Sequence, residues 1–169
     1  YALELLRELR LALLSPDDAV YTAAISCCEK GGQWQKALQL LHEAQCEPRL
    51  KVSIITYNAA ISACEKAGQW ERSLRLLWGL QDAALAPDVV TYSAAISSLA
   101  SSPSSASWSL ALQLLRRSAG SEKRAARPNI VTFSAAMSVC GTSSQWERSL
   151  LLLRELQPGW KDFFPAWSP

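Results

Sequence analysis

The side chains that most often perform catalysis or hold metal ions are sparse in this chain of 169 residues. Histidine occurs once, at His42, and the five cysteines include no C-x-x-C pair. Cys28, Cys64 and Cys140 recur where a small apolar side chain would pack, which predicts reduced core cysteines. Because paired catalytic acids, a glycine-rich phosphate loop and metal-ligand spacing are also missing, the sequence predicts a protein that is not an enzyme and has no metal or cofactor.

Charge and hydropathy do not point to a particular kind of partner. The formal net charge is +2, and 49% of the residues are apolar, which is ample for a buried core. The longest uncharged stretch, residues 89–115, contains Pro103 and many serines, so we expect no membrane-spanning segment.

The strongest pattern in the chain is a module of about three dozen residues that occurs four times. Aromatic residues and tryptophans recur in register, the former at intervals of 36, 35 and 41 and the latter at 36, 38 and 38. These positions are Tyr21, Tyr57, Tyr92 and Phe133, and Trp34, Trp70, Trp108 and Trp146. Self-similarity at this period predicts a stacked array of repeats. Because the chain begins at Tyr1, within such a module, we expect a fragment in which targeting signals would not be visible.

Each module predicts a pair of helices separated by a tight turn. The first helix is rich in alanine and serine and the second in leucine, while Gly31 and Gly32 end the first helix of one module. Thr56 is expected to cap the first helix of the next module. Helices this short are unstable alone in water, so each must bury one face against its partner and another against the next module.

The predicted fold is therefore all-α, an α-solenoid of helix–turn–helix repeats with a short irregular C-terminal tail. The tryptophans are interpreted as packing residues between helices. The predicted units are residues 1–17 (the second helix of a partial repeat), 18–53, 54–88, 89–129 (with insertions), 130–157 and, as an aromatic tail, 158–169.

One family matches this pattern over residues 2–157. The stretch ITYNAAISACEKAGQWERSL, the spacing of thirty-five residues from Ile54 to Asp88, and Pro87-Asp88 before the next VVTY resemble the pentatricopeptide-repeat family. The tetratricopeptide family shares the helical pairs but places its tryptophan, glycine and tyrosine differently. The resemblance implies binding of single-stranded RNA in mitochondria or plastids, with about one base read per repeat.

The resemblance also implies roles for particular residues. The base-reading pairs would be Thr22 with Ser53, Asn58 with Asp88, and Ser93 with Asn129, while Ser134 would begin a fourth pair. By resemblance, the second pair is similar to uracil readers and the third to adenine readers. The apolar side chains flanking each base would be Ile55, Val90 and Val131, and the phosphate contacts would be Lys30 and Lys66. The alternative for each polar residue is an ordinary role as a helix cap or turn residue.

A second function stays open from the sequence, that of a non-catalytic scaffold subunit binding protein partners in a large organellar assembly such as a ribosome, photosystem or respiratory complex. It is favoured by the small number of repeats, the few cations and an apolar tail that would either dock a partner or cap the last repeat. The residues of that tail are Trp160, Phe163, Phe164 and Trp167. A basic cluster away from the expected groove is interpreted as solvated surface; it consists of Arg116, Arg117, Lys123, Arg124 and Arg127.

Overall fold

The computed structural model describes residues 16–102, 104, 106–121 and 126–155, which form four consecutive helical hairpins. No strand occurs in these ranges. The helices are α1 (Asp18–Lys30), α2 (Trp34–Cys46), α3 (Ile54–Lys66), α4 (Trp70–Asp82), α5 (Val89–Ser98), α6 (Ser107–Ala119), α7 (Ile130–Thr142) and α8 (Trp146–Glu155), with a 3-10 turn at Leu99–Ser101.

The hairpins stack in two rows. The first helices α1, α3, α5 and α7 pack on one another in sequence, and we call them the inner row. The second helices α2, α4 and α6 each pack between their own partner and the first helix of the next hairpin, and with α8 they form the outer row. This arrangement confirms the predicted α-solenoid. Within the described ranges, no helix has the length and apolar character needed to cross a bilayer.

Small residues on the inner row let the first helices approach closely. Ala24, Ala60, Ala95 and Ala136 occupy equivalent positions and are at most 2% exposed. Because alanine costs little side-chain entropy on burial, it suits a helix that must contact neighbours on two sides. Leucines from the outer row cover the other side of this core; Leu41, Leu77 and Leu115 are among those buried.

In three of the four described hairpins, the turn contains a left-handed residue after the end of the first helix. Gly32 and Gly68 each have a φ of +66°, which glycine adopts without steric cost. The residue after each glycine donates its amide to the fifth residue back, as Gln69 N does to Cys64 O at 2.8 Å. Ser144 takes the same position in the last hairpin with a φ of 57°, so the turn geometry is retained there without glycine.

Two of the four repeated tryptophans, Trp34 and Trp108, contact the next hairpin in the outer row, as predicted for packing residues. The guanidinium carbon of Arg72 lies 4.8 Å from the centre of the Trp34 ring, and that of Arg148 lies 3.5 Å from the centre of the Trp108 ring. Both arginines come from the following hairpin, so each pair joins two repeats by a cation–π contact. Trp146, in the last described helix, is 64% exposed.

The cysteines at the repeated position are buried, as predicted. Cys28, Cys64 and Cys140 are at most 5% exposed. Burial raises the pKa of the Cys64 thiol to about 11, although Arg72 acts in the opposite direction. A thiol held protonated in this way is a poor nucleophile, so these cysteines serve packing. Cys27 and Cys46 are exposed.

The prediction that Thr56 caps the first helix of its module was wrong. The N-cap of α3 is Ser53, and its side chain accepts from the Thr56 amide at 3.5 Å. Asp88 and Asn129 are the corresponding caps of α5 and α7. Thr56 lies three residues further on and is fully buried, because its hydroxyl bonds to side chains of the preceding hairpin.

Candidate nucleic-acid interface

A buried threonine lies at each of the three junctions between successive hairpins. Thr56, Thr91 and Thr132 occupy the third position of α3, α5 and α7, and all three are 0% exposed. Each hydroxyl reaches the N-cap side chain of its own helix and a side chain in the middle of the preceding inner helix. The junction threonines therefore join the residues that the sequence predicted as pairs.

The second junction brings its predicted pair into direct contact. Asn58 Nδ2 donates to Asp88 Oδ1 at 3.2 Å and to Oδ2 at 3.3 Å. The Thr91 hydroxyl oxygen lies 2.7 Å from Asn58 Oδ1 and 2.9 Å from Asp88 Oδ1. A reciprocal capping box links the backbone amides and side chains of Asp88 and Thr91. These bonds fix which end of the Asn58 amide faces Asp88.

The third junction links its pair through the threonine. Ser93 Oγ lies 2.9 Å from Thr132 Oγ1, which in turn donates to Asn129 Oδ1 at 3.1 Å. The same Asn129 oxygen caps α7 by accepting from the amides of Val131 and Thr132. Ser134 is exposed on α7, and the tail that would supply its partner lies outside the described residues.

The first junction contains a carboxylate that the sequence reasoning missed. Thr22 and Ser53 meet at Thr56, with hydroxyl oxygens 2.7 Å and 3.2 Å from Thr56 Oγ1. Asp18 joins them, because its Oδ1 accepts from the Thr56 hydroxyl at 2.6 Å and from the Ser53 amide at 3.1 Å. Burial alone would raise the pKa of Asp18, but the hydrogen bonds from Ser53 and Thr56 outweigh it and lower the pKa below the ordinary value.

Exposed aliphatic side chains stand beside these polar groups. Ile55, Val90 and Val131, the predicted base-flanking residues, are 63%, 55% and 57% exposed. Each lies one residue before a junction threonine on the inner row. Large apolar residues repeated in the open at a fixed register are typical of a surface that contacts a ligand.

A groove of about 520 Å³ runs across α3, α5 and α7. Val90 and Val131 line it together with the pair Ser93 and Asn129, and Ser134. Five of the predicted site residues therefore share one concave surface. The groove also contains Ser62 and Glu65, which the sequence reasoning had not assigned to the site.

One of the two predicted phosphate-binding lysines is paired with an acid. Lys66 Nζ lies 2.6 Å from Oε1 of Glu29, which also accepts from the Ser62 hydroxyl at 3.0 Å. The hydrogen bond that Lys66 donates to Glu29 raises the pKa of Lys66, as expected for an ammonium group with an acidic partner. Glu29 is on α1 while Lys66 is on α3, so the ion pair crosses the first junction. Lys30 is exposed.

The remaining candidate residues lie away from the groove or outside the described part of the chain. Arg116 and Arg117 are exposed on α6, in the outer row, and Arg127 is exposed in the connector before α7. Lys123 and Arg124 fall outside the described residues, as does the aromatic tail with Trp160, Phe163, Phe164 and Trp167. Within the described ranges, no three His, Cys, Asp or Glu residues are grouped so as to hold a metal ion.

An array of helical hairpins that presents one polar cluster and one exposed aliphatic side chain at each junction defines a helical-repeat binding module. Comparison with protein families makes this more specific. The pentatricopeptide repeat domain model matches residues 39–100, and the PPR repeat model matches residues 19–47. The chain therefore contains pentatricopeptide repeats within residues 19–100.

Solved structures with the same fold include the pentatricopeptide repeat protein PPR10 from maize. That crystal structure has a TM-score of 0.72 and 19% sequence identity, and the match covers 95% of this chain and 22% of PPR10. Two structures of PPR10 in complex with an 18-nucleotide psaJ RNA element each have a TM-score of 0.69 at 19% identity, covering 94% of this chain and 22% of PPR10. The chain thus spans about a fifth of the length of these relatives. No curated protein sequence matches it significantly.

Proposed function

We propose that this chain binds single-stranded RNA along its inner row, with about one base at each junction. The observation that carries the proposal is the convergence of each predicted pair on one junction threonine, although the members of the second pair are 30 residues apart in sequence. An exposed aliphatic side chain stands beside each of these clusters. The structural likeness to PPR10, which has been solved with RNA, supports the same conclusion.

The second junction has the chemistry to recognise a base edge. The Asn58 amide and the Asp88 carboxylate are only partly buried, so a base between Ile55 and Val90 could reach their remaining donors and acceptors. Aliphatic side chains on both sides of a base remove its faces from water, while the polar pair reads its edge. By the family resemblance, this pair would select uracil and the Ser93–Asn129 pair would select adenine.

The low net charge of the chain predicts weak and salt-sensitive binding of RNA. Neutralisation of phosphates by lysine and arginine supplies much of the affinity of nucleic-acid-binding proteins. This chain has a formal net charge of +2, and Lys66 already forms an ion pair with Glu29. Base contacts and aliphatic packing would therefore carry a larger share of the affinity than backbone contacts.

Selection from a pool of randomised short RNAs, followed by titration at two salt concentrations, tests the proposal. The wild-type chain should enrich a short motif, and Asn58→Thr should change the preferred base at one position of that motif. Gln35→Thr, on the exposed face of the outer helix α2, is the matched control and should leave the motif unchanged. Failure of the wild-type chain to bind RNA at low salt would refute the proposed function, and a motif unchanged by Asn58→Thr would refute the assigned pair.

The alternative function, a scaffold subunit that binds proteins in an organellar assembly, is favoured by one observation. Helix α8 exposes several large apolar side chains, with Trp146, Leu150 and Leu153 at 64%, 56% and 47%. An assembly structure with protein side chains against the inner row, where nucleotides are expected, would favour this alternative. For either function, the family resemblance supports a location in a mitochondrion or plastid, which imaging of the tagged full-length protein would test.

A further inference from the structure

The first junction differs from the second in the residue that supplies its carboxylate. At the second junction, the N-cap Asp88 places Oδ1 2.9 Å from the Thr91 hydroxyl. At the first, the N-cap is Ser53, and the carboxylate bonded to the equivalent threonine, Thr56, comes from Asp18 at 2.6 Å. Asp18, on the preceding inner helix, thus makes at the first junction the contact that Asp88, on the connector, makes at the second.

Asp18 lies on the face of α1 that carries the predicted base-reading residue. Thr22 is four residues further along the helix, and its hydroxyl donates to the Asp18 backbone carbonyl at 2.8 Å. Side chains four residues apart on a helix lie one above the other. Both side chains reach Thr56, so Asp18 and Thr22 border the same opening between the first two hairpins.

One oxygen of this carboxylate is available to a ligand. Within the described part of the chain, the two hydrogen bonds of good geometry to the Asp18 carboxylate both go to Oδ1, which accepts from the Ser53 amide and the Thr56 hydroxyl. At the second junction, in contrast, both oxygens of Asp88 accept from Asn58. Asp18 is partly exposed, and an ionised carboxylate oxygen with free lone pairs in such a position is a strong acceptor for N–H groups.

We propose that Asp18 is the specificity-determining residue of the first junction and that it selects guanine there. The inference rests on the proposed RNA-binding function. A carboxylate only accepts hydrogen bonds, so it favours a base edge with adjacent donors and disfavours one with acceptors. Guanine presents an imino and an amino N–H side by side on its Watson–Crick edge. Adenine, cytosine and uracil have no two adjacent donors on this edge, so a carboxylate that binds one of their donors also faces an acceptor.

The variant Asp18→Asn tests the inference with little disturbance of the fold. Asparagine keeps an oxygen for Thr56 and Ser53 but replaces the free acceptor with an amide donor. The free position then presents a donor instead of an acceptor, so it no longer matches the two adjacent donors of guanine. In selection from a pool of randomised RNA octamers, the wild-type chain should enrich guanine at one position, and Asp18→Asn should lower that enrichment by about tenfold.

An exposed aspartate in the outer row provides a matched control. Asp82 is the last residue of the outer helix α4 and is exposed. Asp82→Asn makes the same change in net charge, so its motif should equal that of the wild type. A second variant, Asp18→Ser, removes the carboxylate without adding an amide donor and should also lose the guanine preference.

The outcomes separate the inference from the function on which it rests. If the wild-type chain enriches a motif that Asp18→Asn and Asp18→Ser leave unchanged, or weaken equally at every position, Asp18 only holds the junction together and the inference fails alone. An equal change with Asp82→Asn would mean a general effect of charge and would also overturn it. If the wild-type chain binds no RNA at low salt, the inference and the proposed function fail together.

Discussion

Removal of the Thr91 hydroxyl is the sharpest test of how the junctions are held together. Valine at this position keeps nearly the same volume, so Thr91→Val creates no cavity and isolates the hydrogen bonds. The hydroxyl oxygen lies 2.7 Å from Asn58 Oδ1, 2.9 Å from Asp88 Oδ1 and 3.2 Å from the Asp88 amide nitrogen. The amide oxygen of Asn58 and the carboxylate oxygen of Asp88 can accept from other donors, but the backbone amide of Asp88 loses the acceptor that it has in the described part of the chain.

The size of the effect follows from that amide. An unsatisfied donor costs about 1–3 kcal/mol when it is buried. The Asp88 amide is part-buried and the hydroxyl also loses its bonds to two side-chain oxygens, so we expect Thr91→Val to lower the free energy of unfolding by about 2 kcal/mol. For a chain of this size, that corresponds to a fall in Tm of roughly 4–8 °C. Urea and thermal denaturation would measure the change. Thr142→Val, the same substitution at an exposed position near the end of α7, should change stability by less than about 0.5 kcal/mol.

Hydrogen exchange locates the effect. Because repeat arrays are stabilised by contacts between neighbours, the loss should be concentrated at the second junction. The amides of the first turn of α5 should exchange faster in Thr91→Val, while those of α1 should exchange as in the wild type. A variant as stable as Thr142→Val, or one whose amides lose protection evenly along the chain, would refute the assigned role of the hydroxyl.

Three further predictions concern charged groups. Glu29→Gln should release Lys66 for phosphate contact and steepen the plot of log affinity for RNA against log salt by about 0.7; titration at several salt concentrations measures this, and an unchanged slope would count against the ion pair as a restraint. Arg148→Ala should destabilise the array by about 1 kcal/mol through loss of its contact with Trp108, and a double-mutant cycle in urea would show no coupling if the contact were incidental. The lowered pKa of Asp18 means that its stabilising contribution is complete above the unfolded-state pKa and is lost as the pH falls through the folded-state value. Denaturation followed from neutral to acidic pH should show this loss in the wild type, and an Asp18→Asn variant with the same acid sensitivity would contradict it.

The sequence was sufficient to predict the helical pairs and their stacking because the same side chains recur in the same register. Once the repeat was recognised, residues such as Asn58 and Asp88 could be assigned to a shared junction. The N-caps were harder to assign, since serine and threonine have similar local preferences for that position. Ser53 is the cap because the hydroxyl of Thr56 is bonded across the junction, to Thr22 and Asp18, which local propensity does not reveal.

Contacts between residues that occupy different positions in two neighbouring repeats could not be predicted from the repeat pattern. Asp18 bonds to Thr56, 38 residues away, and no other repeat has an acid at the position of Asp18. Likewise, Glu29 forms an ion pair with Lys66 across the first junction, which the position of Lys66 within its own repeat does not reveal. Such contacts depend on how far one helix is rotated against the next, which is decided by packing of the whole array.

The junction threonines imply that recognition and stability are not independent in this array. The side chain proposed to read a base from the connector side is also the N-cap of the next helix, whether Ser53, Asp88 or Asn129. Good N-caps are restricted to a few short polar side chains, so the residues available to read bases at this position are restricted in the same way. Where the N-cap is serine, which carries no charge, a carboxylate at the junction must come from a residue at another position of the repeat. Asp18 supplies this carboxylate at the first junction, so base preference there cannot be predicted from the N-cap residue alone.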